Sequence, residues 1–248
     1  MTVAPHAEPW SAEGNHIGVL VLHGFTGSPK SVTPWAMELG NNGWSMRVPR
    51  LPGHGTTWQE ANLTTWEDWY GEALRNFREL REACEHVFVM GLSMGGTLTL
   101  RLAEEHGADM NGIVLVNPSV HTERIDRFAL PILHRFIGGF PGISNDIAKP
   151  GIDEGAYDKI PLKAAHSLSQ LWKRVKADIA KVDVPVLLFR SAEDHVVEPS
   201  NAAFILSSVS STDVTEIVLP DSYHVATLDH DAEIIFRDSA DFVRRLIA

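Results

Sequence analysis

An α/β fold is predicted, with a mostly parallel central sheet, helices on both faces and a small inserted cap. Three features of the chain carry this reading. Uniformly apolar runs such as IGVLVL, VFVM and IVLV alternate with segments of helical spacing; these runs lack the polar alternation of half-exposed strands; and the rhythm breaks once before resuming. Strands that are apolar on both faces need cover on both faces, which helices flanking a parallel sheet supply. The break divides the chain into a first core part, residues 1–119, an insert, 120–167, and a second core part, 168–248.

Residues 1–15 are polar with two prolines and read as an extended lead-in. Ile17 to Leu22 is the first strand, and a helix follows from about Thr33 to Asn41. Between them, Gly24 to Ser31 imitates a phosphate-binding loop, but Pro29 replaces its second glycine and has no N–H to offer a phosphate. Trp44 to Pro49 is a short strand leading into the turn Arg50-Leu51-Pro52-Gly53-His54-Gly55. Thr64 or Thr65 caps a long helix to about Cys84, with Glu67 and Asp68 in the first turn, where the helix dipole favours acids. Val87 to Met90 is a strand, Thr97 to Glu105 a helix, and Ile113 to Val116 the next strand.

In the insert, apolar pieces such as Phe128 to Ile137 are repeatedly interrupted by glycine and proline, which predicts a subdomain of short helices. It leaves the core at a strand's C-terminal end, the edge where open parallel sheets bind ligands, so it is placed as a cap over the site. Its apolar residues Phe128, Leu130, Ile132, Leu133, Phe136, Ile137 and Phe140 either line a channel or pack on the core. The core resumes with a helix from about Leu168 to Ala180, a strand Val184 to Phe189, a helix Ser200 to Ser208, a strand Val214 to Leu219 and a closing helix Ala232 to Ile247.

The 21 basic and 32 acidic residues give a net charge of −11 without any basic run, which argues against nucleic acid and anionic membrane surfaces as partners. The single cysteine, Cys84, forms no internal disulfide, and neither a signal peptide nor a membrane-length apolar run is present, so a cytoplasmic protein is expected. No histidine pair has helical metal-site spacing with an acidic partner, and no metal or cofactor is expected.

Gly91-Leu92-Ser93-Met94-Gly95 stands between a strand and a helix, and a serine on so sharp a turn is pushed clear of the sheet edge. A hydroxyl is a weak nucleophile at neutral pH and needs a base, which in turn needs a carboxylate to fix its tautomer. Asp194 and His224 each follow a later strand, so both gather with Ser93 on one edge. Glu193 and Asp213 are the alternates for the acid, and His230 for the base. His195 is expected to point away, and His23 and His54 to make structural hydrogen bonds in their glycine turns. The N–H of Met94, at the helix start, and that of Phe25, in the loop after the first strand, are the candidate oxyanion donors. Glu154, a carboxylate in the cap, is a candidate acceptor for substrate hydroxyls, against the plainer reading of a solvated side chain.

Five motifs taken together, His23-Gly24-Phe25-Thr26-Gly27, Leu51-Pro52-Gly53-His54-Gly55-Thr56, Gly91-Leu92-Ser93-Met94-Gly95-Gly96, Asp194-His195-Val196-Val197 and Ser222-Tyr223-His224-Val225-Ala226-Thr227-Leu228-Asp229, resemble the bacterial monoacylglycerol lipase and carboxylesterase family of the α/β-hydrolase superfamily. The resemblance spans about residues 17–119 and 167–247 and is looser in the cap. It implies an α/β-hydrolase fold, Ser93, Asp194 and His224 as the triad, and Phe25 and Met94 as the oxyanion donors. It also implies cofactor-free hydrolysis of short- to medium-chain esters and of monoacylglycerols. A generalist carboxylesterase, a thioesterase, a peptidase and a non-enzymatic ligand receptor on the same fold are the alternatives.

Overall fold

The computed structural model describes residues 2–248, the side chains of Asp126 and Arg127 excepted. Strands β1 (Trp10–Ala12), β2 (Ile17–Leu22), β3 (Ser45–Val48), β4 (His86–Leu92) and β5 (Gly112–Val116) are joined by helices α1 (Thr33–Gly40), α2 (Trp58–Ala61), α3 (Trp66–Ala83) and α4 (Met94–His106). Residues 117–161 then hold a 3-10 turn (Ile125–Phe128), α5 (Leu130–Leu133) and the short strands β6 (Gly139–Pro141) and β7 (Lys159–Pro161). Helix α6 (Leu162–Asp178), β8 (Val186–Ser191), α7 (Ser200–Ser208), β9 (Val214–Leu219) and α8 (Ala232–Ile247) complete the chain.

The main sheet runs β1-β3-β2-β4-β5-β8-β9, with only β1 antiparallel to its neighbour. From β2 the chain moves outward on one side, through β3; from β4 it moves outward on the other. The two loops leaving β2 and β4 therefore diverge and open a crevice at the C-terminal ends of these strands.

Alternate residues of each central strand feed one of two cores. Leu20 and Leu22 of β2, Val87 and Val89 of β4, and Ile113 and Leu115 of β5 face α3, α4 and α6. Val19 and Val21, Phe88 and Met90, and Val114 and Val116 face α1 and α8 through Trp35, Leu39, Phe242 and Val243. With both faces occupied, the buried positions of these strands take apolar side chains, hence the unbroken apolar runs. The edge strand β9 exposes Thr215 and Glu216, a polar pattern that discourages further pairing.

Three local features differ from the sequence-based expectations. The lead-in supplies edge strand β1, paired to β3 (Trp10↔Val48) and packed on the core through Trp10 and Ala12. The insert contains the antiparallel pair β6–β7 (Phe140↔Ile160) besides its short helices. Helix α6 starts at Leu162 directly after Pro161, so residues 162–167 belong to it rather than to the insert. Elsewhere the choice between Thr64 and Thr65 is settled by a capping box: the Thr65 N–H donates to Asp68 Oδ2 at 2.8 Å. Among the described residues no helix is long and apolar enough to cross a membrane.

Residues 117–161 are tied to the core by polar contacts in their middle and toward their C-terminal end. Asn62 Nδ2 donates to the Gly138 carbonyl at 2.6 Å, and Tyr157 OH donates to the Gly53 carbonyl at 2.5 Å. Between these two points, the carboxylate of Asp229 accepts the N–H groups of Ala148 and Lys149 at 2.7 and 2.9 Å.

Candidate active site

Ser93 stands between β4 and α4 with φ 54° and ψ −116°, a left-handed backbone that a non-glycine residue adopts only when its surroundings enforce it. They do so here. The Ser93 N–H donates to the Val116 carbonyl at 2.9 Å, and the glycines on either side allow a contact that no side chain could share. A Cβ on Gly95 would lie 2.1 Å from the Leu22 carbonyl oxygen, and one on Gly91 would lie 2.2 Å from the Gly95 carbonyl carbon. The glycines thus let α4 start directly against the ends of β2 and β4.

The crevice between β2 and β4 holds the other parts. Phe25 follows β2 and Met94 opens α4. Among the described residues neither main-chain N–H has an acceptor within the protein, so both are available to an oxygen in front of Ser93. Phe25 is positioned by aromatic packing: its ring lies 5.9 Å from that of Trp69 and 6.0 Å from that of His54. His23 and His54 are fully buried behind this loop with ring centroids 5.3 Å apart. His23 Nδ1 donates to the Gly24 carbonyl while its Nε2 accepts the Leu51 N–H at 3.1 Å, which joins the loop after β2 to the turn after β3. Both histidines have the structural bonds the sequence suggested.

Asp194 follows β8 and His224 follows β9. His224 Nδ1 lies 2.8 Å from Asp194 Oδ2; because a carboxylate only accepts, the neutral ring carries its proton on Nδ1 and in that form has its lone pair on Nε2. Asp194 Oδ1 accepts the N–H groups of Val196 and Val197, each at 2.8 Å. Burial alone would raise the Asp194 pKa, but the His224 ring and these N–H groups outweigh it and leave it below the usual carboxylate value. Burial works against the charged form of His224 as well. There it is outweighed by Asp194, with further contributions from Glu154 and Asp146, and the His224 pKa is raised.

Ser93 and His224 line one cavity of about 300 Å³, within the range of small-molecule sites. No hydrogen bond of 3.5 Å or less joins the Ser93 hydroxyl to His224 among the described residues; such bonds commonly tighten only around a substrate. The alternates lie elsewhere. Glu193 is bonded to His195, Asp213 is paired with Arg245 on the surface, and His230 borders a separate open groove. His195 points away from the cavity as expected, into a pair with Asp146.

The inserted segment contributes the apolar wall, and its residues divide between the two roles considered. Leu130, Leu133 and Phe140 line the cavity, whereas Phe128, Ile132 and Phe136 are 65–82% exposed on the outside. Glu154 also lines the cavity and is half-buried rather than freely solvated. Its Oε1 accepts the Asn145 N–H at 3.1 Å, and burial raises its pKa against the opposing influence of His224.

Two positioning contacts escaped sequence reading. Asn117, at φ 43°, donates to the His224 carbonyl at 2.8 Å and accepts the Ser191 N–H at 2.8 Å, joining the ends of β5 and β8 to the loop of His224. Asp229 accepts the Tyr223 N–H at 2.9 Å while it holds Ala148 and Lys149. The only sequence signals were an asparagine directly after a strand and an aspartate inside the His224 motif.

At the opposite edge of the sheet, His16, Glu85 and His86 bring ligand atoms within 4.8 Å of one another. Asn111 Oδ1 accepts the Val87 N–H, so its Nδ2 donates to His86 Nδ1 and leaves the ring proton on Nε2, 4.0 Å from Glu85. That arrangement suits a hydrogen-bonded surface cluster better than a metal centre.

Residues 15–231 match the sequence profile of the Hydrolase_4 family, described as serine aminopeptidase, S33. The chain is 41% identical over 238 residues to a thermostable monoacylglycerol lipase of Bacillus sp. (strain H-257), spanning 95% of this chain and 94% of that one. It is 26% identical over 242 residues to a carboxylesterase of Bacillus subtilis (strain 168), spanning 96% and 97%. Among solved structures, one from a study of the metagenome-derived lipolytic enzymes LipS and LipT superposes with a TM-score of 0.95 at 39% identity, covering 98% of this chain and 100% of the other.

Proposed function

The chain belongs to the serine aminopeptidase S33 family of α/β-hydrolases, and from that membership and the site geometry we propose that it is a serine esterase acting on monoacylglycerols, releasing fatty acid and glycerol. One observation carries the chemistry: the nucleophile candidate stands at the crevice where strand order reverses, in one cavity with a histidine whose Nδ1 is committed to Asp194.

In this reading His224 Nε2 takes the Ser93 hydroxyl proton as Oγ attacks the ester carbonyl. The tetrahedral oxyanion is held by the N–H groups of Phe25 and Met94, and Asp194 stabilises the imidazolium. His224 then protonates the departing alcohol. A water molecule, deprotonated by the same nitrogen, releases the acid from Ser93. Residues 120–161 act as a lid whose inner apolar side receives the acyl chain. The buried, free Cys84 fits the cytoplasmic location expected from the sequence.

The monoacylglycerol preference rests on the relative named above and on Glu154. An acyl chain along Leu130, Leu133 and Phe140 leaves the alcohol side of the ester toward Glu154, whose bond to Asn145 fixes it as an acceptor for glycerol hydroxyls. Hydrogen bonds to a charged acceptor are worth about 1.5–3 kcal/mol, or roughly 10- to 100-fold. Glu154→Gln is therefore expected to lower kcat/KM for a monoacylglycerol about tenfold or more while leaving the ethyl ester of the same acid within about threefold. Equal losses on both esters would remove Glu154 from alcohol recognition. The whole reading is tested by steady-state hydrolysis of a chain-length series offered as monoacylglycerols and as matched ethyl esters. Preference for the glycerol esters supports it, equal rates leave a generalist carboxylesterase, and no turnover on either series rejects ester hydrolysis.

A further inference from the structure

Asp194 and His224 lie in loops that leave the sheet after neighbouring strands. The sheet fixes the start of both, since Ser191 of β8 pairs with Leu219 of β9. Just beyond that pair the Ala192 N–H donates to the Leu219 carbonyl and Ser191 Oγ to the Tyr223 carbonyl, both at 2.8 Å; farther out, the separation of acid and base depends on what holds the two loops together.

One carboxylate does so, and it comes from neither loop. Asp146 belongs to the inserted segment and is nearly buried, its side chain 9% exposed. Its Oδ2 accepts two main-chain N–H groups, that of His195, the residue after Asp194, at 3.1 Å, and that of His224 itself at 3.2 Å. Its Oδ1 pairs with His195 Nδ1 at 2.8 Å, and its main-chain carbonyl accepts the Val225 N–H at 3.1 Å. His195 places its other nitrogen 3.1 Å from Glu193, so both ring nitrogens face carboxylates, which raise its pKa and favour the charged form that would serve as a counterion. Asp146 can thus be buried as an anion beside a second acidic group without an unpaired charge.

We infer that Asp146 is a positioning residue that clamps the acid and base loops together and couples the seating of the inserted segment to the competence of the Asp194–His224 pair. The inference rests on the reading of Ser93, Asp194 and His224 as a triad. Since the clamp is part of the segment that lines the cavity, displacing that segment removes the clamp, and reseating it over a substrate restores it. The charged groups facing His224 are Asp194 from the β8–α7 loop and Glu154 and Asp146 from the inserted segment, all negative. Removing Asp146 takes away one of three charges that favour imidazolium, so the acid limb of the pH profile should move to lower pH.

The test compares Asp146→Ala and Asp146→Asn with the wild-type protein. Asparagine keeps the shape and one acceptor, so it serves where alanine compromises folding. Turnover of a short nitrophenyl ester is measured per active site, titrated with a phosphonate that labels Ser93, and the downfield proton NMR signal of His224 Nδ1–H is recorded on the same samples. A misplaced catalytic group typically costs on the order of 100-fold. The expected result for Asp146→Ala is a fall in kcat of about 10- to 100-fold with KM within about threefold. The acid limb moves to lower pH, and the Nδ1–H signal is shifted or broadened. Asp146→Asn should lie between this variant and the wild type. An unchanged kcat per titrated site, or a fallen kcat with the Nδ1–H signal unmoved, would overturn the clamp. If the wild-type protein neither hydrolyses esters nor takes the label, the functional reading fails instead, and the imidazole signal still decides whether Asp146 orders the pair.

Discussion

Ser93→Ala is expected to abolish ester hydrolysis, lowering kcat by roughly 10⁴- to 10⁶-fold, while the protein keeps its fold. The size follows from the division of labour in the site. Phe25 and Met94 offer main-chain donors that survive the substitution, and the cavity is unchanged, so the residual rate is whatever binding and oxyanion stabilisation give without a nucleophile. Alanine inherits the same left-handed backbone and the same Val116 hydrogen bond, so no new strain is introduced. Nitrophenyl butyrate turnover and thermal unfolding measured on one preparation make the check. A variant within tenfold of the parent would place the nucleophile elsewhere.

A second large effect concerns acid. His23 and His54 are buried and neutral, their pKa values lowered from 6.5 to about 3 and about 4, mainly by burial, with the nearby Arg50 charge adding to both. The folded values lie below the unfolded ones, so above about pH 6.5 neither residue influences stability. As pH falls below 6.5 the unfolded chain takes up protons that the folded chain refuses. Stability then drops by up to about 1.4 kcal/mol per pH unit for each histidine until the folded values are reached. Over two to three pH units the pair costs several kcal/mol, a large share of the 5–15 kcal/mol typical of a whole domain. His195 and His224 have raised values, so their contributions are complete below pH 6.5 and vanish only on the alkaline side. Urea unfolding between pH 7 and 4.5 should show the loss, and His54→Phe should reduce its slope by about one proton. An unchanged slope in that variant would mean that the acid sensitivity arises elsewhere.

Much of this architecture was legible because the signals were local. The central strands announce themselves as apolar runs, Thr65 and Asp68 mark the start of α3, and Ser93 sits in a glycine frame that its backbone angles require. Asp194 and His224 were legible for the same reason, each lying shortly after a strand. The missed features depend on distant partners. Strand β1 exists only as the mate of β3, and β6 and β7 are three-residue pieces rich in glycine and proline that pair across the insert. The first turn of α6 was hidden by Pro161, which reads as an interruption yet is well suited to the residue before a helix. Asp146 lies 49 and 78 residues from its partners His195 and His224, and no spacing rule connects them.

The polar ties of residues 117–161 are unevenly spread, and the unevenness sets where the molecule breathes. Gly138, Ala148, Lys149 and Tyr157 are fastened to the core by hydrogen bonds. The stretch 130–137 rests instead on apolar contact and on the stacking of His134 against His166, ring centroids 4.2 Å apart. Its backbone hydrogen bonds are all local, running from Ala129 to Ile137 over about two turns. Such a piece unfolds locally at a small fraction of the global free energy, so its amide hydrogens should exchange with deuterium well before those of Ala148 and Lys149. Protease nicking should begin there too, with the catalytic half of the insert still pinned in place. An ester substrate would then enter by a sub-global fluctuation of this short stretch, without the insert swinging away as a rigid body.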